Sequence, residues 1–136
     1  MERKTIGELV AEAKSRIENL DNDGLAREIE SGALIVDLRE SSERAELGVI
    51  PGAFHVPRGL LEFWADPASA MHRPEFELDR RIVLHCATGG RSALAVTALQ
   101  ELGFTNVAHH NPGFNGWAAD GRPVEESEPV WDDRSE

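Results

Sequence analysis

Two runs, Ala33-Leu-Ile-Val-Asp-Leu38 and Arg81-Ile-Val-Leu-His-Cys86, carry apolar residues at consecutive positions and not at alternate ones. A strand with one wet face alternates, whereas consecutive apolar residues mark a strand buried on both faces, as in a parallel sheet. Such a sheet needs helices over both sides, and segments with helical spacing lie around the two runs. Residues 5–14 read as a helix, with Thr5 and Glu8 as a capping box and Ile6, Leu9, Val10 and Ala13 on one face. An extended piece follows near Arg16–Leu20. Asp21 or Asp23 caps a second helix bearing Leu25, Ala26 and Ile29, and Gly32 sits where it stops. Ser41–Glu46 is a short helix. Within Val49–Val56, Pro51-Gly52 marks a turn before a brief strand. Leu60–Trp64 is helical or irregular, and Pro67–Glu75 is a surface loop. A helix over about 91–102 carries Leu94, Ala95, Ala98, Leu99 and Leu102 and ends at Gly103. Asn106–His110 is a strand, Asn111-Pro-Gly113 a turn, and Phe114–Ala119 a short helix stopped by Gly121 and Pro123. The order of elements predicts an α/β fold with a mostly parallel sheet.

The chain of 136 residues suits one domain with one core, and neither a repeat nor a long linker divides it. With 40% hydrophobic and 29% charged residues, its composition is that of a soluble globular protein. No apolar stretch reaches membrane-spanning length, and Met1-Glu-Arg-Lys-Thr5 opens an amphipathic helix, not a signal region. The formal net charge of −11 argues against nucleic acid and anionic membranes as partners. It also requires a local positive site for any anionic substrate. The acidic tail from Glu125 holds Pro129 and is loosely ordered apart from any docking by Trp131. Cys86 is the single cysteine, which rules out an internal disulfide and points to a reducing cytoplasm.

Cys86 stands where a buried strand ends and a loop with two glycines begins, at the end of the sheet where α/β sites lie. Backbone N–H groups of the loop and the N-terminus of the following helix face whatever the sulfur carries, and both favour the thiolate. A buried cysteine is more often an inert small hydrophobe, but the strand, Gly-Gly loop, arginine and helix in succession favour a reactive one. From Cys86 to Arg91 the loop has six residues, Cys86-Ala-Thr-Gly-Gly-Arg91. His-Cys, a loop one residue longer, then Arg is the phosphotyrosine-phosphatase pattern. The shorter cradle suits a single sulfur atom better than a phosphoryl group. His85 precedes Cys86 on the strand, so its side chain points to the opposite face, a poor place for a general base. His55, His72, His85, His109 and His110 show no metal-type spacing, and no metal is expected. Phe63 and Trp64 form a pocket wall or pack in the core, and Trp117 reads as core.

Four motifs in order resemble those of the single-domain rhodaneses, a sulfurtransferase family. They are Val36-Asp-Leu-Arg-Glu40 with Glu43 at the expected offset, Gly48-Val-Ile-Pro-Gly-Ala53, Cys86-Ala-Thr-Gly-Gly-Arg-Ser92, and Pro112-Gly-Phe-Asn-Gly-Trp117 with Gly121-Arg-Pro-Val-Glu125. The likeness runs from about Leu20 to Glu125. The leading helix and Val56-Pro-Arg-Gly-Leu-Leu-Glu-Phe-Trp64 resemble a bacterial subset. Val49 stands where the family often has His, and Pro112 replaces the first Gly of a usual pair; neither touches the loop.

The resemblance implies a three-layer α/β/α fold around a central five-stranded sheet. It implies an N-terminal helix and lead-in over 1–19, a rhodanese domain over 20–125 and an acidic tail over 126–136. It implies a sulfurtransferase of the thiosulfate:cyanide class, with Cys86 carrying a persulfide and no cofactor. Ala87, Thr88, Gly89, Gly90, Arg91 and Ser92 would hold the substrate, with Arg58 a candidate at the pocket mouth. Arg91 either draws in the anionic donor or pairs with an acidic neighbour, and Asp37 and Arg39 form a supporting ion pair. The partners implied are a small anionic sulfur donor and an external thiol acceptor, small or on a protein. The same fold also supports phosphatases, arsenate reductases and non-catalytic regulatory modules.

Overall fold

The computed structural model describes residues 2–128. Pro129 and Trp131, and with them most of the acidic tail, lie outside the described residues.

The two apolar runs become β2 (Leu34–Asp37) and β4 (Ile82–His85), and both are buried along their whole length. They pair side by side, Leu34 against Ile82 through Asp37 against His85. Three more strands complete the sheet: β1 (Glu18–Leu20), β3 (Phe54–His55) and β5 (Val107–His110). The order is β1-β5-β4-β2-β3, so β4 occupies the centre. Every ladder of this sheet is parallel, where the sequence suggested mostly so. A lone antiparallel bridge joins Val49 to Glu125 outside the sheet.

Helices cover both faces because both faces are apolar. On one side α1 (Ile6–Lys14), α4 (Leu61–Ala65) and α5 (Gly90–Glu101) pack over the even-numbered residues of β2 and β4. On the other, α2 (Asn22–Glu30) and α6 (Gly113–Ala119) close over Ile35 and Val83 with Leu25, Phe114 and Trp117. Among the described residues, no helix is long and apolar enough to cross a membrane.

Local chemistry sets the boundaries. Thr5 caps α1 through the reciprocal bonds of a capping box with Glu8. Asp21, not Asp23, caps α2 by accepting from the Gly24 N–H at 2.7 Å. The patch at 60–64 resolves into a 3-10 turn, Arg58–Leu60, running into α4. The expected turn at 111–113 is shorter, because α6 already begins at Gly113. A short α3 (Ser41–Leu47) follows β2 at the C-terminal end of the sheet.

Candidate active site

Cys86 follows the last residue of the central strand, and its side chain is only 1% exposed. The chain then turns through Gly89, whose φ of +99° opens α5 at Gly90. This turn is a close fit. A Cβ on Gly89 would stand 2.7 Å from the Asn111 carbonyl oxygen, so the left-handed glycine there is also a packing requirement. The turn after β5 supports the loop from below. The Phe114 N–H donates to the Cys86 carbonyl at 2.7 Å and the Asn115 N–H to the Ala87 carbonyl at 3.0 Å. Gly113 (φ +70°) lies flat against Ala87, with room for no Cβ.

Inside this cradle the Gly89 N–H donates to Cys86 Sγ at 3.2 Å, and Ser92 Oγ lies 3.6 Å away. Burial alone would push the thiol up. The Ser92 side chain and the amides of Ser92, Gly89 and Thr88 outweigh it and hold the thiol below its ordinary value. The two effects together describe a sulfur withdrawn from bulk water yet disposed to ionise. Thr88 is exposed on the loop, while Ala87 is half-buried.

Arg91 is paired with Glu43 while its guanidinium still bears on the Cys86 sulfur. Its Nη1 and Nη2 donate to the two carboxylate oxygens of Glu43 at 2.8 and 2.9 Å, a two-pronged pair that ties α5 to α3. The guanidinium holds Glu43 below the usual carboxylate range, against a smaller opposing effect of burial. Of the two roles the sequence left open, the pairing is the one occupied here. Arg58 is spent as well: Nη1 reaches Glu62 at 2.7 Å, and no hydrogen bond joins it to the loop among the described residues.

Asp37 and Arg39 lie fully buried on the far side of the sheet, under α6. Arg39 Nε and Nη2 donate to Asp37 at 3.0 and 2.9 Å. Nη2 also reaches the Gly48 carbonyl at 2.8 Å, and the guanidinium sits 4.0 Å over the Phe114 ring. Arg44 Nε adds a third contact to Asp37 at 3.1 Å. Burial raises the Asp37 carboxyl, but the Arg39 hydrogen bonds and the Arg39 charge bring it below its ordinary value. The pair therefore braces the end of β2 and the helix whose first turn underlies the loop.

His85 and His110 also face this far side, ring edge against ring, and His110 meets Trp117 edge to face as well. Trp117 is core, and its Nε1 donates to the Pro123 carbonyl at 2.7 Å. Trp64 packs half-buried against Phe54, while Phe63 is exposed. Among the described residues, no His, Cys, Asp and Glu side chains group in threes as a metal site would need.

Sequence reasoning missed two residues near the sulfur. His109 accepts or donates at Ser92 Oγ, 3.1 Å from its Nδ1, and Asn19 Oδ1 lies 2.7 Å from its Nε2. Asn19 is 90 residues from His109 in sequence, so no local pattern pairs them. The alternation along β5 was the available signal, since it puts His109 on the Cys86 side and His110 on the other.

The chain matches the rhodanese-like domain over residues 21–120. It is 40% identical to a solved structure from Rhodopseudomonas palustris, described as a protein of unknown function and possible tyrosine phosphatase. That match covers 92% of this chain and 97% of the other, with a TM-score of 0.85. It is 28% identical to a sulfurtransferase of Allochromatium vinosum over 79% of this chain and 94% of that protein. It is 25% identical to the human single-domain sulfurtransferase TSTD1, with 74% and 95% covered and a TM-score of 0.67. With the domain match spanning residues 21–120 and the fold shared with these solved structures, the chain belongs to the rhodanese-like domain family.

Proposed function

We propose that the protein is a sulfurtransferase that carries a sulfane sulfur as a persulfide on Cys86. The observation behind this reading is the Gly89 N–H on Sγ within a six-residue cradle that suits a single sulfur atom better than a phosphoryl head. The Cys86 thiolate attacks the outer sulfur of a donor such as thiosulfate, a new S–S bond forms, and sulfite leaves with the electron pair of the broken bond. An acceptor, a thiolate or cyanide, then takes the outer sulfur and returns Cys86 as thiolate. Two easier steps replace a hard one. The amides of residues 87–91 and the N-terminus of α5 stabilise charge on the outer sulfur, as an oxyanion hole does for oxygen, each aligned donor being worth about 3 kcal/mol.

With Arg91 held by Glu43, the amides and not a free guanidinium carry most of the anion recognition, and Arg91 fixes the first turn of α5. Asp37 and Arg39 act as support, and Arg58 as a secondary cation near the 3-10 turn. No second cysteine exists to resolve the persulfide, so the acceptor comes from outside the chain, in a reducing compartment such as the cytoplasm. An open cleft beside α3, lined by Glu46, Glu125, Glu126 and Glu128, has the wrong sign for an anionic donor.

The test is intact mass after exposure to thiosulfate, polysulfide and glutathione persulfide in turn. The expected result is a gain of about 32 Da, one sulfur atom, that Cys86→Ser abolishes. If no donor adds mass, or Cys86→Ser still adds it, the persulfide reading fails. The likeness to a possible tyrosine phosphatase supports a second reading, phosphate-ester hydrolysis. Turnover of an aryl phosphate without any mass gain would select it.

A further inference from the structure

Ser92 is a fully buried hydroxyl with one proton and two acceptors that compete for it. One is Cys86 Sγ at 3.6 Å, the other His109 Nδ1 at 3.1 Å. The tautomer of His109 can be read from Asn19. The Asn19 amide nitrogen donates to the Lys14 carbonyl at 3.0 Å and the Ile17 carbonyl at 3.1 Å. Its oxygen is therefore the atom facing His109 Nε2 at 2.7 Å, and an amide oxygen only accepts. Nε2 carries the ring proton, and Nδ1 of the neutral ring is a bare acceptor. Burial first, and the Lys14 charge second, hold His109 near 4, so the ring is neutral at physiological pH. Ser92 must give its single proton to Nδ1 or leave that buried nitrogen unpaired. While it does so, it has none to give to sulfur.

We propose that His109 is a positioning residue: it holds the Ser92 proton while Cys86 is a thiol or persulfide and yields it to Sγ when the sulfur becomes a thiolate. This rests on the persulfide reading above. In the discharge step, the acceptor thiolate bonds to the outer sulfur, the Sγ–S bond breaks, and its electron pair stays on Sγ. The Ser92 proton never leaves its oxygen; the hydroxyl rotates from His109 to the new anion. Cys86 leaves as a stabilised thiolate without resting as an over-stabilised, sluggish one. The charges facing the relay are Lys14 from α1, whose Nζ approaches Gly89 beside the His109 ring, and Arg91 from α5 with its Glu43 partner from α3. His85 and His110 stand on the far side of the sheet, both held neutral by burial.

The test titrates Cys86 by its ultraviolet thiolate absorbance, in the full chain with no sulfur donor present. Ser92→Ala removes the hydroxyl and raises the midpoint. His109→Phe removes the competing acceptor and lowers it, by about one pH unit, roughly ten-fold in thiolate fraction. Ser92→Ala combined with His109→Phe returns the Ser92→Ala value, because His109 acts only through Ser92. A midpoint in His109→Phe that rises or stays put, or a double variant that differs from Ser92→Ala, overturns the proposal. If His109→Phe fails to fold, wild-type nitrogen NMR decides. The His109 Nδ1 resonance moves toward that of a free acceptor as Cys86 ionises, and a resonance that does not move overturns it. Neither measurement involves sulfur transfer. A chain that gains no sulfur leaves the relay standing, and one that gains sulfur with the wrong titration order sinks the relay alone.

Discussion

Gly113 carries neither charge nor side chain, yet the Cys86 loop rests on it. Its φ of +70° is a conformation that costs an L-residue roughly 1–2 kcal/mol. A Cβ there would also stand 2.6 Å from the Ala87 carbonyl carbon and 2.8 Å from the Thr88 nitrogen, atoms of the cradle itself. Gly121 has almost the same φ, +74°, with nothing within 4 Å of where a Cβ would go. The two glycines separate backbone strain from steric displacement. Gly121→Ala should lower the melting temperature slightly and leave sulfur uptake intact. Gly113→Ala should lower it further and abolish the mass gain, because Ala87 and Thr88 must move. Melting curves and intact mass on the two variants check this, and equal behaviour of the pair would refute it.

At the scale of elements, α1 is the helix whose role depends most on its ends. Its capping box fixes the start, and its last residue, Lys14, offers the carbonyl that orients Asn19. Thr5→Ala should cost about 1 kcal/mol, seen as a lower denaturation midpoint and faster amide exchange in α1, with α5 unaffected. Elements were readable from sequence where local chemistry decides them: the caps at Thr5 and Asp21, the consecutive apolar residues of β2 and β4, the glycine after β4. The Cys86 loop was readable for the same reason, since strand, glycines and helix are contiguous. Less legible were contacts made across the sheet. Glu43 reaches Arg91 over 48 positions and Asn19 reaches His109 over 90, distances at which no periodicity operates. The commitment of Arg91 and the partner of Ser92 therefore emerge only when the layers are assembled.

For the whole molecule, the buried histidines set the response to acid. His109 and His110 are held near 4 and near 3, chiefly by burial, and His85 is lowered by the same cause. An unfolded histidine titrates near 6.5, so below that pH the unfolded chain binds protons that the folded chain refuses. The stability these residues contribute is complete above about 6.5 and is lost as pH falls toward 4, on the order of 3 kcal/mol for His109 alone. Asp37 and Glu43, shifted down, add a second loss only at lower pH. Urea midpoints should thus decline from about pH 7 to about pH 5, above the ordinary carboxylate range; a flat profile across that window would contradict it. The parallel sheet has a further consequence, one of timing. Among the described residues, strand β1 pairs only with β5, Glu18 against Ala108, so a segment made early on the ribosome waits for one made some ninety residues later. Gly113 and Asn115, which underpin the loop, emerge later still. A nascent chain can hold the Cys86 strand and most of its helices and still lack a finished cradle, so reactivity is the last property this protein acquires as it is made.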